Sequence, residues 1–399
     1  MPYEVDILTL ANMHPADILD ALDKYEGDRA ELLNKLPEDV IAAVIDEAEA
    51  EEKYELLELL PERAQKAIVN EMYSDELADM LGTVSPSEAD SILEIIDEDE
   101  AQEVRELLNY DPDTAGGIMA TEFISVREDM TVGETFKYLQ EEAPDAETAY
   151  YVYVVDNNDV LKGVVALRDL VVSEFNVKVH SIMKTNIISI PVTMDQEEVA
   201  HVFEKYGFLT MPVVDGNGRM LGIITVDDAM DVLREEDTED IYRLAGLGEE
   251  VKAAGTVRES VRKRLPWLFV NLATALLAAM TVSLFEDTIA RVVTLAAFMP
   301  IVAGMGGNTG TQTLTIIVRG IALGELNYEN SKRVLFKEIG VGVTSGLSIG
   351  VTVALLGWFW ERNMVFGLVI GLAMLLNMAV ATLSGFVVPV VLKKIKVDP

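Results

Sequence analysis

The spacing of apolar residues along this 399-residue chain changes character twice. Over the first 118 residues, apolar positions such as Ile41 and Ile45 recur at helical spacing in short segments, which predicts short helices in series. From 119 to 233, short apolar runs alternate with helical stretches and predict an α/β region. After Trp267, four long stretches are almost free of charge. A helix of about 20 apolar residues crosses a bilayer, so these stretches predict a membrane domain.

The predicted fold class is therefore multidomain. It combines an all-α helical-repeat N domain, an α/β pair of repeated modules and an α-helical transmembrane domain. The predicted boundaries are 1–118 for the N domain, 119–182 and 183–233 for the two modules, 234–264 for a charged connecting helix, and 265–399 for a membrane domain of four helices.

Four proline-led segments mark the N domain. Their prolines are Pro15, Pro37, Pro61 and Pro86, which stand 22, 24 and 25 residues apart. An acidic residue follows each proline within a few positions. Proline suits the first turn of a helix because its missing N–H is a donor that would have no partner there. The spacing predicts a loose helical repeat, which by itself indicates a scaffold.

The α/β region contains the same pattern twice. Ile-Ser-Val at 124–126 returns 64 residues later as Ile-Ser-Ile, and Val-Val-Asp at 154–156 returns unchanged 59 residues later. The difference of five residues predicts a loop insertion around 143–147. This tandem pattern resembles a pair of CBS (cystathionine-β-synthase) domains, which commonly bind adenosine nucleotides or act as switches.

The CBS resemblance implies a nucleotide cleft, with ATP as a candidate ligand. Asp169 or Asp228 would hold the ribose, Thr225 would lie near a phosphate, and Phe208 would lie against the base. Ala166 stands in the first repeat where Thr225 stands in the second, so at most one cleft keeps the full pattern. In the alternative interpretation, the two aspartates only cap the helices that follow them.

Charge divides the chain into two parts, and the composition excludes several classes of function. Residues 257–399 hold 13 Lys and Arg against 8 Asp and Glu, a net of +5, so residues 1–256 carry −42 within the total of −37. Such an acidic surface repels nucleic acid and concentrates cations, although a merely solvated surface would have the same composition. The sequence has no cysteine and three histidines, which argues against thiolate or zinc sites. We find no nucleophile–base constellation and predict that the protein is not an enzyme.

The four predicted spans are about 267–285, 289–318, 339–360 and 363–392. No signal peptide opens the chain, so we expect the N-terminal domains in the cytoplasm. With that orientation, the inner segments carry eleven Lys and Arg and the outer ones two, as the positive-inside rule requires. The localisation predicted is a multi-pass protein of the cell membrane.

Acidic residues are sparse near these spans. None of the predicted spans contains an Asp or Glu, while Glu286, Asp287 and Glu361 fall on the outer side, where they would attract cations or serve only as solvated loop residues. Inside the spans, uncharged polar side chains are expected to form interhelical hydrogen bonds. These residues are Asn271, Asn377, Thr382 and Ser384.

The second span contains a polar run behind Pro300. Proline weakens a helix, and glycines permit close approach or irregular backbone, so we expect freed carbonyl oxygens beside a water-filled path. Such carbonyls and an amide are hard oxygen ligands that suit Mg²⁺. The alternative is a small-residue helix-packing face. The candidate pore residues are Gly306, Gly307, Asn308, Thr309, Gly310 and Gln312.

An acidic helical repeat, two CBS domains, a charged connector and a span with Pro-Ile-Val-Ala-Gly-Met-Gly-Gly-Asn-Thr-Gly-Thr-Gln together resemble the MgtE family of magnesium channels. The resemblance covers essentially the whole chain. It implies a homodimer in the lipid bilayer with a pore at the subunit interface. It also implies that Mg²⁺ both permeates and regulates: cytoplasmic Mg²⁺ binds between the acidic domains and closes the pore through the connector, the plug helix.

The resemblance also implies a set of Mg²⁺-sensing acids. Asp75 and Asp79 stand four residues apart, and Asp228 and Asp231 three apart, so each pair can share a helix face. The full set of metal candidates is Asp75, Asp79, Glu197, Asp228, Asp231, Glu236, Glu239, Asp240 and, at the inner pore mouth, Asp398.

Three features depart from the family pattern. Ala43 and Gly207 stand where the family has acidic ligands, which would weaken a site or shift the Mg²⁺ range of closure. The family also continues beyond Asp398 into a fifth helix with a pore aspartate, so the sequence predicts either a truncated chain or a variant that uses backbone and amide oxygens.

Two alternatives to a Mg²⁺ channel remain open. Oxygen ligands alone do not separate Mg²⁺ from Mn²⁺, Co²⁺ or Ni²⁺, so a channel of similar design for another divalent cation fits the same residues. The other alternative is a membrane-anchored Mg²⁺ or nucleotide sensor that conducts nothing.

Overall fold

The computed structural model describes residues 10–25, 27–142, 146–247, 256–326 and 330–395. The chain forms two compact units, Met1–Thr238 and Glu239–Pro399.

The first unit begins with short helices in series, as the proline spacing predicts. Pro15 and Pro86 occupy the first turns of their helices, whereas Pro37 and Pro61 are the capping residues just before theirs. The helices are α1 (Pro15–Asp23), α2 (Arg29–Leu33), α3 (Glu38–Asp46), α4 (Ala50–Glu58), α5 (Glu62–Val69), α6 (Ser74–Thr83), α7 (Pro86–Leu93) and α8 (Glu98–Leu107).

Two small sheets follow, and they have the same topology. The strands are β1 (Ser125–Arg127), β2 (Tyr151–Val155), β3 (Leu161–Ala166), β4 (Ile190–Pro191), β5 (Thr210–Val214) and β6 (Met220–Thr225). In each sheet the first strand pairs parallel with the second, and the second pairs antiparallel with the third. The register repeats as well, since Val154 faces Gly163 in one sheet and Val213 faces Gly222 in the other. The sequence repeat is therefore a structural repeat.

Helices pack beside both sheets. They are α9 (Val132–Glu142), α10 (Leu167–Val171), a 3₁₀ turn (Val179–Ser181), α11 (Gln196–Tyr206) and α12 (Val226–Leu244). One hydrophobic core joins the N-terminal helices to the second module: Leu77 and Leu81 of α6 belong to the same buried cluster as Met211 of β5 and Ile224 of β6. The shared core fixes α6 against the second module, which determines where the acidic residues of α6 point.

The predicted boundary between module and connector, at 233/234, lies inside one continuous helix. α12 begins directly after β6 and runs to Leu244 without interruption. Part of the charged connector is therefore a direct extension of the last helix of the second module.

The second unit is helical. Its elements are α13 (Val257–Ser283), the short α14 (Glu286–Arg291), α15 (Thr294–Ala322), α16 (Ser331–Glu361) and α17 (Met364–Lys394). A helix lies at each of the four predicted spans. Among the described residues, three segments are long and apolar enough to cross a membrane: Ser260–Ser283, Ser331–Glu361 and Met364–Lys394. α15 has the length, at 29 residues, but its polar run lowers its hydropathy.

Glycine allows α16 and α17 to pack backbone against backbone. A Cβ atom on Gly350 would lie 2.8 Å from the carbonyl oxygen of Gly371, and one on Gly371 would lie 2.7 Å from the carbonyl oxygen of Gly350. Close approach through small residues is the usual way in which helices associate in lipid, where no hydrophobic effect drives them together.

The expectation that no acidic residue lies in a span is wrong. α16 begins at Ser331, eight residues before the predicted start of that span, and it includes Glu338. Glu338 is 2% exposed, and its carboxylate lies 3.1 Å from the Nζ atom of Lys337. Hydrophobicity placed the span's start too late because the first two turns of the helix are charged.

Candidate functional site

Three carboxylates converge in the first unit. Asp75 lies in the first turn of α6, Glu147 in the segment before β2, and Asp228 in the first turn of α12. One carboxylate oxygen from each lies within 4.8 Å of the other two. Asp75 is 6% exposed, and the other two are half-buried. Oxygen ligands at this spacing suit a hard divalent cation such as Mg²⁺, which keeps several of its own waters. We call this group the three-carboxylate site.

Local hydrogen bonds hold the two aspartates. Asp75 accepts from the backbone N–H of Glu76 over 2.9 Å. Asp228 accepts from the backbone N–H of Thr225 over 3.2 Å and from the Thr225 hydroxyl, which is a capping arrangement at the start of α12. The alternative role of Asp228 as a helix cap is thus present in the structure, and it leaves the residue within reach of the other two carboxylates.

Burial destabilises the negative charges of the site. It raises the pKa of Asp75 well above its usual range, and the charge of Asp228 adds to the effect. Burial also raises the pKa of Glu147 to about 9, with further contributions from Asp75 and Asp228. The Oε2 atom of Glu147 is buried and has no hydrogen-bond partner in the described part of the chain. A bound cation would offset the repulsion among the three carboxylates and would give the buried Oε2 atom of Glu147 a partner.

A second acidic group on α6 has a cationic neighbour, although burial still raises the pKa of Glu76 to about 9. Glu76 lies 3.3 Å from the Nζ atom of Lys53, which is only 8% exposed. Partial desolvation raises the pKa of Asp79, the Lys53 ammonium opposes the rise, and Glu235 adds to it. Asp79 is exposed and does not belong to the three-carboxylate site.

The other metal candidates of the first unit lie apart from that site. Asp231 is 68% exposed and lies 3.8 Å from Arg234, so its spacing from Asp228 does not bring it into the cluster. Glu197 lies 3.8 Å from the Nε2 atom of His201. Glu236 accepts from the side-chain amide of Gln196 over 2.7 Å.

The remaining metal candidates belong to the second unit. Glu239 pairs with Arg243 one helical turn further along α12. Asp240 is half-buried. Asp398 lies outside the described residues.

Glu147 is the residue that sequence reasoning missed. It lies at the end of the insertion that distinguishes the first module from the second, and no ligand of the family pattern pointed to it. The only available signal was an acidic residue in an inserted loop, which says nothing about where the loop folds.

The predicted nucleotide residues are only partly free for a ligand. Thr225 is 5% exposed, and its hydroxyl donates to Asp228. Phe208 is exposed and stacks on Tyr206 with ring centroids 6.1 Å apart. Asp169 is half-buried in the first turn of α10.

In the second unit, the polar run of α15 is regular helix, so the expectation of irregular backbone is wrong. The glycines of the run instead allow α15 and α17 to approach each other closely. Asn377 of α17 donates its side-chain amide to the carbonyl oxygen of Val302 over 2.7 Å, and a Cβ atom on Gly306 would lie 2.1 Å from that amide nitrogen. The interhelical bond predicted for Asn377 is confirmed, whereas Thr382 bonds to Met378 of its own helix.

The helix divides the candidate pore residues between two faces. Gly306 and Thr309 are buried and Gly310 half-buried on the face toward α17, and the Thr309 hydroxyl donates to the carbonyl oxygen of Met305. Gly307, Asn308 and Gln312 are exposed in the single chain. The small-residue packing interpretation is confirmed for the buried face, whereas the pore-lining role of the exposed residues stays a prediction. The polar face of α15 consists of Gly307, Asn308, Thr311, Gln312 and Thr315, all exposed.

Known proteins resemble this chain over most of its length. A family described as a divalent cation transporter matches residues 299–399, the MgtE intracellular N domain matches 13–113, and the CBS domain matches 115–174 and 179–235. The magnesium transporter MgtE of Thermus thermophilus is 39% identical over 98% of this chain and 88% of its own length. That of Bacillus subtilis is 37% identical over 75% of this chain and 66% of its own length.

A solved structure agrees with the first unit. The cytosolic domain of the Mg²⁺ channel MgtE, crystallised in complex with ATP, is 40% identical and has a TM-score of 0.55, covering 57% of this chain and 93% of that one. The predicted fold class is confirmed, and the MgtE relatives are transporters and channels, which agrees with the prediction that the protein is not an enzyme. The chain belongs to the MgtE family of magnesium transporters.

Proposed function

We propose that this protein conducts Mg²⁺ across the cell membrane. The observation that carries the proposal is the polar face of α15, whose Asn308 and Gln312 side chains are exposed on a helix of 29 residues. Uncharged polar groups on a membrane helix are stable only against protein or a water-filled path. The identity to the magnesium transporter of Thermus thermophilus supports Mg²⁺ as the permeating ion.

Two copies of the chain would enclose that path. In one copy the polar face is exposed among the described residues, while the opposite face of α15 is already packed on α17 through Gly306 and Gly310. A homodimer that apposes the two polar faces would remove both from lipid and line a pore between them. The residues proposed to line it are Asn308, Gln312 and the backbone at Gly307, with Thr311 and Thr315 added to the sequence-based set. Asp398 keeps its proposed place at the inner mouth.

The charge distribution supports a cytoplasmic first unit. Lys332 and Arg333 lie in the first turn of α16, and Lys393 and Lys394 lie in the last turn of α17. These ends would face the cytoplasm under the positive-inside rule. Arg362 lies at the opposite end of α16.

We further propose that cytoplasmic Mg²⁺ closes the pore by binding at the three-carboxylate site. The site includes residues of α6 in the N domain and of α12, and α12 continues into the predicted plug segment. An ion that binds there favours the arrangement in which Asp75, Glu147 and Asp228 are together over one in which they are apart. Asp79, Glu197, Asp231, Glu236, Glu239 and Asp240 remain proposed as acids that attract and hold further ions.

ATP is a proposed second ligand. The support is the CBS pair itself and the homologous cytosolic domain solved with ATP. Binding at the second module requires Thr225 to exchange its bond with Asp228 for a phosphate, so we expect ATP to alter the response to Mg²⁺.

Mg²⁺ uptake into dye-loaded liposomes that contain the full chain tests the proposal. We expect uptake that saturates and that falls when Mg²⁺ is also present on the side of the first unit. Competition with Mn²⁺, Co²⁺ and Ni²⁺ tests the alternative of another divalent cation. A folded protein that binds Mg²⁺ without flux would contradict conduction and favour the sensor.

The matched test of the pore face compares two double variants. Asn308→Ala/Gln312→Ala removes amides from the polar face of α15. Thr274→Ala/Thr281→Ala removes hydroxyls that donate to carbonyl oxygens of their own helix, α13. We expect reduced flux from the first variant and wild-type flux from the second.

A further inference from the structure

The carboxylate of Glu122 accepts hydrogen bonds from Ser74, the first residue of α6, which lies 48 positions earlier in the chain. The backbone N–H of Ser74 donates to Oε1 of Glu122 over 2.9 Å, and the Ser74 hydroxyl donates to Oε2 over 2.8 Å. Ser74 is 4% exposed, so water has little access to these bonds. Hydrogen bonds to an ionised carboxylate are about twice as strong as neutral ones, and the free N–H groups at a helix start favour a negative partner.

Thr121 completes the attachment. Its backbone N–H donates to the Ser74 hydroxyl oxygen over 3.0 Å, and its own hydroxyl donates to Glu103 of α8 over 3.1 Å. The start of α6 is therefore tied by side chains to the segment before β1, independently of any metal.

Glu122 also holds the segment that carries the third carboxylate. Its backbone carbonyl oxygen accepts from the N–H of Glu147 over 3.0 Å. Ser74 is the neighbour of Asp75 in the chain. One residue thus fixes the elements that carry two of the three carboxylates, while both of its own carboxylate oxygens are engaged by Ser74.

We propose that Glu122 is the positioning residue of the three-carboxylate site. Like charges at this spacing repel one another, so the site needs a restraint that acts before an ion arrives. Preorganisation of this kind strengthens binding because the ion does not have to order its ligands. The inference rests on the proposed sensing of Mg²⁺ by this site.

The test compares variants of the full chain in lipid nanodiscs. Ser74→Ala removes the hydroxyl but keeps the charge of Glu122, and Glu122→Gln removes the charge. Glu88→Gln is the matched control, because Glu88 accepts from the backbone N–H of Ser85 over 2.9 Å in the same kind of cap, away from the site. Two quantities are measured: the Mg²⁺ concentration that gives half of the Mg²⁺-induced rise in Tm, and the number of ions bound by calorimetry.

We expect Ser74→Ala and Glu122→Gln to raise that concentration about tenfold with no change in the number of ions, as loss of one hydrogen bond to a charged group implies. Glu88→Gln should lower Tm slightly and keep the wild-type concentration. If both site variants lower Tm but leave the half-maximal Mg²⁺ concentration at its wild-type value, the bonds between Ser74 and Glu122 are only structural and the inference is wrong. If only Glu122→Gln raises the half-maximal Mg²⁺ concentration, Glu122 acts through its charge. That result would also contradict the proposed positioning role. A wild-type chain whose Tm ignores Mg²⁺ would instead remove the proposed sensor.

Discussion

The side-chain amide of Asn377 donates to the carbonyl oxygen of Val302 over 2.7 Å, across the contact between α17 and α15. The bond exists because residue 306, one turn further along α15, is glycine. A Cβ atom there would lie 2.1 Å from the amide nitrogen. The polar run of α15 is therefore positioned by a neighbouring helix and not by a break in its own backbone.

Gly306→Ala should destabilise the second unit by about 1–3 kcal/mol, the usual cost of overpacking a close contact. Gly307→Ala is the control, since nothing lies within 4 Å of a Cβ atom at that position. Unfolding of the purified protein in mixed micelles measures both. Adding Asn377→Ala to Gly306→Ala should recover part of the loss, because it removes the clashing amide. Equal stability of the two single variants would contradict the role of Gly306.

Glu147→Gln should raise the Mg²⁺ concentration required for closure about tenfold, since it removes one charged ligand from the three-carboxylate site. Asp228→Ala should act in the same direction. Asp231→Asn should shift closure less than Glu147→Gln, because the carboxylate of Asp231 is 68% exposed and lies beside Arg234. Mg²⁺ uptake into liposomes at graded internal Mg²⁺ measures the shift. A larger effect at Asp231 than at Glu147 would reject the site as described.

Without Mg²⁺, the first unit should lose stability as the pH rises from about 6 to 9. The folded state raises the pKa of Glu147 from 4.5 to about 9, so across this range it binds a proton that the unfolded chain has released. Stability falls wherever the folded state binds more protons than the unfolded state. Thermal unfolding of the full chain in EDTA measures the slope.

Two additions test the assignment of that slope. Glu147→Gln should reduce the slope but not remove it, because burial also raises the pKa of Glu76 to about 9. Saturating Mg²⁺ should reduce the slope in the same way by neutralising the site. Glu134→Gln should keep the wild-type slope over this range, because hydrogen bonds from Thr131 lower the pKa of Glu134. An unchanged slope in Glu147→Gln would assign the pH dependence to other groups.

Asn308→Ala should reduce Mg²⁺ flux, whereas Thr309→Val should leave most of it. The two residues are adjacent, but Asn308 is exposed on the polar face and Thr309 is 9% exposed, with its hydroxyl bonded to Met305. Liposome flux normalised to folded protein separates them. Equal losses would indicate that the packed face, and not the exposed one, lines the path.

The sequence by itself determined the domain order, the tandem module and the approximate location of the long apolar helices. Each depends on periodicity and composition along neighbouring residues, such as the repeat of Val154 at Val213 or the uncharged stretch after Trp267. It also placed Asp75 and Asp228 among the candidate ligands through the family pattern.

Only the tertiary structure decided which of these residues meet. Asp228 and Asp231 are equally suited by spacing, yet only the first reaches Asp75, because the face that α12 presents to α6 is set by packing of the shared core. Glu147 and Glu122 act through contacts with residues far away in the chain, which no local pattern encodes. The division of the polar run into a packed and an exposed face likewise depends on where α17 lies, and a helix cannot specify its neighbour from its own sequence.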